Sequence, residues 1–245
     1  MNAKTVDIKT KDGIAACHFF HPPLPEIRPA VIFYMDEFGI RPALWEMAER
    51  LAANGYHVLL PDLYYRSGPT QPFHAATALQ DDSERDRLMS LIYSLNQQLV
   101  MEDTGSFLDF LAGQPSVARQ KTGCIGYSMG GAFALTSAGT FPDWIDATAS
   151  LYGSHLATDE SDSPHRLARA IRAVVYIGIA GIDPYFTPTE RLQLESAFQA
   201  AGVAPVIEVY PHVKHGFAVK DTPAYDLTAS ERHWQQILKL FEARL

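Results

Sequence analysis

One stretch of this chain places a serine between two glycines, where an apolar run gives way to a helix-forming run. The stretch is Thr122-Gly123-Cys124-Ile125-Gly126-Tyr127-Ser128-Met129-Gly130-Gly131. The pattern Gly-x-Ser-x-Gly in this context predicts a nucleophile elbow, a strained turn from strand to helix with the serine at its apex. Gly126 and Gly130 lack the Cβ atom that would clash in such a turn. The local fold is therefore constrained to a strand followed directly by a helix.

The rest of the sequence alternates between strand-like and helix-like segments. A β-hairpin is predicted around Lys11-Asp12-Gly13, and residues 66–82 are predicted to form a long surface loop. Alternating strands and helices predict a mostly parallel central sheet with helices on both faces, in a single α/β domain over residues 1–245. Strands are expected at 6–10, 14–20, 30–35, 56–60, 122–125, 147–152, 174–179 and 206–210. Helices are expected at 43–53, 83–113 (as one helix with a break or as two), 129–138, 188–201 and 228–243.

Composition excludes some classes of partner. The net charge of -8 over 245 residues, without a basic cluster, argues against binding to nucleic acid. No apolar run approaches the roughly 20 residues needed to span a bilayer, and residues 1–7 contain no hydrophobic signal region. A cytoplasmic protein without a membrane partner is therefore expected. Cys17 and Cys124 lie in apolar strand-like segments and are predicted to be buried free thiols.

A serine hydroxyl becomes a good nucleophile only when a histidine takes its proton and a carboxylate orients that histidine. Such partners gather at the carboxyl ends of parallel strands, in the chain order serine, acid, histidine. Asp183 follows the strand predicted at 174–179, and His215 follows the strand predicted at 206–210. Ser128, Asp183 and His215 are therefore the predicted catalytic residues.

His212 is the alternative base, because it lies in the same loop as His215. We favour His215, since His215-Gly216 gives a loop that can approach Ser128, whereas His212 could simply cap its strand. The two histidines could also suggest a metal site, but no cysteine or second histidine pair completes one. Neither a metal nor a cofactor is therefore expected.

The oxyanion formed during acyl transfer needs two backbone N–H donors. One is expected from Met129, directly after the nucleophile, and the second from Glu37 in the loop Asp36-Glu37-Phe38-Gly39. Two adjacent carboxylates beside an oxyanion would repel it unless one is protonated, hydrogen-bonded or turned away. Asp36 either takes an active part or caps the loop while Glu37 faces solvent, and both alternatives stay open.

Taken together, these segments resemble the dienelactone hydrolase family, a branch of the α/β-hydrolase fold. The resemblance rests on Asp36 to Gly39, Gly55-Tyr56 with Pro61 to Tyr64, Gly123 to Gly131, Asp183 with Pro188, and His215-Gly216-Phe217. It implies Ser128, Asp183 and His215 as the triad, and it matches Asp36 to a position where members commonly have glutamate.

Two departures from the family pattern stand out. Members best known for opening dienelactones use cysteine as nucleophile, whereas this chain has Ser128. Family arginines hold a substrate carboxylate, and the candidates here are Arg41, Arg66, Arg85 and Arg87. The alternative for Arg85 and Arg87 is an ion pair on a helix surface with Asp82, Glu84 or Asp86.

The predicted function is hydrolysis of a small carboxylic ester or lactone through an acyl-enzyme. Alternatives are a thioesterase, an acyltransferase or a small peptidase with the same triad, or a binding scaffold that retains the fold without the chemistry. The only partner that the sequence indicates is a small-molecule substrate. The sequence does not predict the oligomeric state. The candidate pocket residues are Asp36, Phe38, Tyr64, Tyr65, Arg66, Arg87, Tyr127 and Phe217, with Tyr152 as a further aromatic.

Overall fold

The computed structural model describes residues 2–23 and 26–245, and the strands of this part of the chain form an eight-stranded sheet. The strand order is β1-β2-β4-β3-β5-β6-β7-β8. The first pair is the predicted hairpin, β2 and β4 are also antiparallel, and all other neighbours are parallel. The strands are β1 (Asn2–Lys9), β2 (Ile14–His21), β3 (Arg28–Tyr34), β4 (His57–Pro61), β5 (Val117–Tyr127), β6 (Ile145–Leu151), β7 (Val174–Ile182) and β8 (Val206–Lys214).

Helices alternate with the strands from β3 onward. The segment predicted as helical at 83–113 forms two helices, because Asn96 accepts a hydrogen bond from the N–H of Leu99 and caps the second one. Short 3₁₀ turns at Tyr65–Ser67 and Pro164–Ala170 were not predicted. The helices are α1 (Pro42–Ala53), α2 (Asp82–Tyr93), α3 (Gln97–Ala112), α4 (Met129–Thr140), α5 (Pro188–Ala201) and α6 (Leu227–Arg244).

Helices cover both faces of the sheet. A Cβ atom on Gly123 of β5 would lie 2.8 Å from Leu245, directly beyond α6. Cys124, the next residue, is level with Thr148 of β6, whose hydroxyl donates to the carbonyl of Ala134 in α4. Because neighbouring residues of a strand point to opposite faces, α4 and α6 lie on opposite sides of the sheet. This confirms the predicted α/β-hydrolase architecture.

The topology places a crevice beside β3. This strand pairs with β4 on one side and β5 on the other, so the chain reverses its winding direction there. In open α/β sheets, ligands bind at the carboxyl ends of strands beside such a reversal. Glu37 follows β3 and Ser128 follows β5, so both lie at this crevice.

Strands β7 and β8 extend further than the sequence predicts. His212 was expected just beyond its strand, but β8 continues through it to Lys214. Strand β7 ends at Ile182, so Asp183 directly follows it.

Cys17 and Cys124 are buried free thiols, as predicted. Within residues 2–23 and 26–245, no helix has the length and apolar character needed to cross a membrane.

Candidate active site

Ser128 occupies a strained backbone conformation between β5 and α4. Its φ of 53° and ψ of -120° lie in a region that residues with a side chain rarely adopt, at a cost of about 1–3 kcal/mol. A Cβ atom on Gly126 would lie 1.9 Å from the carbonyl oxygen of Gly130, and one on Gly130 would lie 2.5 Å from that of Met35. The two glycines therefore let the turn close while the serine hydroxyl is held above the sheet.

Three side chains form a continuous hydrogen-bonded chain at this edge of the sheet. His215 Nε2 lies 2.8 Å from Ser128 Oγ, and His215 Nδ1 lies 2.9 Å from Asp183 Oδ2. Because an aspartate carboxylate only accepts, Nδ1 carries the ring proton and Nε2 is left as the acceptor. Ser128 therefore donates to the imidazole, which is the direction needed to remove its proton.

Aromatic rings fix the imidazole from two sides. The rings of Tyr152 and Tyr185 each make an edge contact with His215, with centroids 4.9 Å apart in both pairs. Asp183 also accepts from the backbone N–H of Tyr185 at 2.9 Å, and its side chain is 1% exposed. The acid and the imidazole are therefore held in place largely out of contact with water.

A second serine lies beside the first. Ser154 Oγ is 3.3 Å from Ser128 Oγ, and the N–H of Ser154 donates to the carbonyl of Ser128 at 3.2 Å. Since Ser128 uses its single proton on His215, Ser154 must be the donor between the two hydroxyls. Negative charge that develops on Ser128 Oγ would be stabilised by this contact.

The expected oxyanion donors belong to residues that line the same cleft as Ser128. Glu37 and Met129 both line it, and Met129 is the first residue of α4, where backbone N–H groups have no partner within the helix. The Tyr64 hydroxyl donates to the Glu37 carbonyl at 2.8 Å and holds that loop. Gly39, with a φ of 76°, allows the sharp turn just beyond it.

Asp36 points away from the cleft into a buried ion pair. Its two oxygens accept from Arg41 at 2.6 and 2.9 Å, and the two side chains are 4% and 2% exposed. Arg41 also donates to Asp221, which lies in the segment after His215. Burial raises the pKa of Asp36 to about 6 and the Arg41 guanidinium opposes this shift, so the carboxyl is ionised at neutral pH.

Asp36 also accepts from the N–H of Phe38 at 3.1 Å. This bond matches the loop-capping alternative. Glu37 does not simply face solvent: it lines the cleft, and within the described part of the chain its Oε2 atom is buried without a hydrogen-bond partner.

The candidate pocket residues lie outside the lining of this cleft. Phe38 lies under Arg41, Phe217 is in the core against Tyr152, and Tyr65 bonds to Asp103. The arginines are held by neighbouring acids: Arg66 by Asp103 and Asp12, Arg85 by Asp82, and Arg87 by Glu84. For Arg85 and Arg87 this is an ion pair on a helix surface, which is the alternative to binding a substrate carboxylate.

Tyr127 faces the core beneath Ser128, with its hydroxyl 3.1 Å from Nε2 of His233. Burial lowers the pKa of His233 to about 3, so this histidine is neutral. Tyr127 and His233 therefore pack beneath the turn that carries Ser128.

Sequence reasoning missed the walls of the cleft and Ser154. The cleft has a volume of about 540 Å³. Ser154 could have been found, because it follows β6 at the same edge where Asp183 and His215 follow their strands. The wall on α2 could not, because the sequence does not show which face of that helix meets the site. The lining includes Leu88, Met89, Ile92 and Tyr93 of α2, with Ser128, Met129, Ala132, Phe133, Ser154 and His155.

The described residues do not cluster in the way that a metal site requires. No group of three or more His, Cys, Asp or Glu side chains in that part of the chain is placed to hold a metal ion. At the cleft, the described residues offer hydroxyl, imidazole and carboxylate groups, with backbone N–H donors beside them.

Comparisons with known proteins identify the family. The model of the dienelactone hydrolase family matches residues 16–245. The carboxymethylenebutenolidase of Rhodococcus opacus is 28% identical, over 88% of this chain and 81% of that protein. Carboxymethylenebutenolidase 1 of Cupriavidus pinatubonensis is 26% identical, over 92% and 90%.

A solved structure shares the fold. A dienelactone hydrolase-like promiscuous phosphotriesterase from metagenomic libraries superposes with a TM-score of 0.81 at 23% identity, over 99% of this chain and 98% of that one. Because the family model covers nearly the whole chain, this protein belongs to the dienelactone hydrolase family of α/β-hydrolases.

Proposed function

We propose that this protein is a serine-dependent hydrolase, formed by one α/β domain, that cleaves a small carboxylic ester or lactone through an acyl-enzyme. The observation that carries the proposal is the hydrogen-bonded chain from Ser128 through His215 to Asp183, with distances of 2.8 and 2.9 Å. The family match supports it, as do relatives named carboxymethylenebutenolidases and dienelactone hydrolases.

In the first step, Ser128 Oγ attacks the ester carbonyl carbon while His215 Nε2 takes the hydroxyl proton. The carbonyl oxygen becomes an oxyanion held by the N–H groups of Met129 and Glu37. The carbon–oxygen bond to the leaving group then breaks, and His215 returns the proton to the departing alkoxide. Asp183 keeps the proton on Nδ1 and stabilises the imidazolium throughout.

In the second step, water attacks the acyl-enzyme. His215 takes a proton from the water, and the new oxyanion occupies the same donors. Collapse of this intermediate releases the carboxylic acid and returns the proton to Ser128. A lactone follows the same route, except that the alcohol and the acid leave as one molecule.

The test is hydrolysis of a short p-nitrophenyl ester by the wild type and by Ser128→Ala. The variant should lose about 10³-fold or more in kcat, because nucleophile and base act as a unit. Ser154→Ala is the matched control and should lose no more than about tenfold, the value of one hydrogen bond. Equal activity in Ser128→Ala would contradict the proposal.

A further inference from the structure

The cleft beside Ser128 has an apolar wall. Helix α2 contributes Leu88, Met89 and Ile92, and the first turns of α4 contribute Met129 and Phe133. The cleft volume of about 540 Å³ falls within the roughly 300–1,000 Å³ of small-molecule sites. A wall of this kind binds the hydrocarbon part of a substrate.

The lysine, arginine, aspartate and glutamate residues that line the cleft are all acidic. They are Glu37, Glu160 and Asp162, and among the residues that the structure describes no lysine or arginine joins them. A substrate carboxylate in this cleft would meet like charge and would find no lysine or arginine among the described lining residues to compensate for its lost hydration. An uncharged group would incur neither penalty.

The arginines that could have held a carboxylate are engaged elsewhere. Arg41 is buried against Asp36 and Asp221. Arg166 does not line the cleft, and it donates to the main-chain carbonyls of Asp159 and Glu160. The remaining candidates bond to other acids: Arg66 to Asp12 and Asp103, Arg85 to Asp82, and Arg87 to Glu84.

From this lining we infer that the enzyme selects esters carrying an uncharged, apolar chain and discriminates against esters whose chain ends in a carboxylate. The inference rests on the proposed function, because it concerns the substrate of the same Ser128 site. It places the specificity in the acidic lining and the α2 wall.

The test compares four p-nitrophenyl esters: the acetate, the octanoate, the monoester of suberate, whose chain ends in a carboxylate, and the same monoester with that carboxylate capped as a methyl ester. Each kcat/KM is divided by the rate of hydroxide-catalysed hydrolysis of the same ester. Octanoate should exceed acetate by at least about tenfold, because each buried methylene contributes up to about fourfold. Octanoate should exceed suberate by at least about tenfold, and the methyl-capped diester should lie between them. Suberate cleaved as well as octanoate would overturn the inference.

A variant tests whether the wall sets this selectivity. Ile92→Arg places a cation on the α2 wall and should raise the suberate-to-octanoate ratio by about tenfold or more. Ile92→Gln is the matched control, because it removes apolar surface without adding charge, and its ratio should change much less. An unchanged ratio in Ile92→Arg would contradict the inference, provided that a fluorophosphonate still labels Ser128 and so shows an assembled site.

Failure of the selectivity and failure of the proposed function give different results. Ser128-dependent hydrolysis of every ester without preference would overturn only the selectivity. Hydrolysis of none of the esters, with no fluorophosphonate adduct, would overturn the proposed function and this inference with it.

Discussion

Two buried aspartates lie at the carboxyl ends of strands on either side of Ser128, and their partners differ. Asp183 follows β7 and bonds to His215, whereas Asp36 follows β3 and bonds to Arg41. A histidine gains and loses a proton near neutral pH, but an arginine remains a cation. In the proposed mechanism, the same residue type therefore serves proton transfer in one place and loop structure in the other.

Arg41 also joins two loops. Arg41 binds Asp36 beside the Glu37 loop and Asp221 in the segment that follows His215. The guanidinium also donates to the Gly39 carbonyl. We expect this ion-pair cluster, Asp36-Arg41-Asp221, to hold the loop that contains Glu37 and the segment that follows His215.

The largest expected effect is on the catalytic side of the comparison. Asp183→Asn should reduce kcat by about 10⁴-fold, because the amide no longer holds the proton on His215 Nδ1. The thermal unfolding temperature should change by only a few degrees. Steady-state kinetics and a thermal melt would check both, and a loss of less than tenfold in kcat would remove the distinction between the two aspartates.

On the structural side, Arg41→Met should lower the free energy of unfolding by about 3–5 kcal/mol, because Asp36 loses the cation that offsets the cost of burying its charge. Urea unfolding at pH 7.5 measures this loss. The double variant Arg41→Met/Asp36→Asn should recover most of it, since the unpaired charge is gone. A double variant as unstable as the single one would contradict the assignment.

The loss in Arg41→Met should also depend on pH. Without the guanidinium, burial alone acts on Asp36, and its pKa rises further above the ordinary value. A raised pKa means that the folded protein disfavours the ionised carboxylate. The stability lost in Arg41→Met is therefore full above that pKa, and it shrinks as the carboxyl is protonated. The difference from wild type should therefore be smaller at pH 5 than at pH 7.5, and a constant difference would contradict this account.

His233 extends the comparison to a buried histidine whose ring lies beside the Tyr127 hydroxyl. Its pKa is lowered by burial to about 3, from an ordinary value near 6.5, so its contribution to stability is full above pH 6.5 and is lost as the pH falls toward 3. The free energy of unfolding should fall by about 2–3 kcal/mol between pH 6.5 and 4.5 from this group, at about 1.4 kcal/mol per pH unit.

His233→Gln is the control for that prediction. It keeps a donor and an acceptor beside Tyr127, and its unfolding free energy should lack this part of the pH dependence. Denaturant titrations of both proteins across the range would measure the difference, and parallel pH curves would show that His233 does not titrate as described.

The smallest effect is expected at the outer member of the ion-pair cluster. The Asp221 side chain is 35% exposed, and Arg41 keeps Asp36 when Asp221 is changed. Asp221→Asn should therefore lower the free energy of unfolding by about 1 kcal/mol or less. A loss as large as that of Arg41→Met would show that Asp221, rather than Asp36, is the main partner.

The sequence predicted the elements that depend on local pattern. The strands, the hairpin and the elbow follow from hydrophobic periodicity and glycine spacing, and the order of Ser128, Asp183 and His215 follows from strand ends. The partners of Arg41 were not predictable, because Asp221 is distant in the chain and only the folded topology brings the two together. The same holds for the α2 wall, whose position depends on how residues 62–97 pack.

The central claim is that Ser128 is an activated nucleophile, and covalent labelling tests it most directly. The protein would be treated with a fluorophosphonate and analysed by intact and peptide mass spectrometry, with Ser128→Ala as control. The account predicts a single adduct on Ser128, its absence in the variant, and loss of ester hydrolysis in step with labelling. No adduct, or an adduct on the neighbouring Ser154, would contradict it.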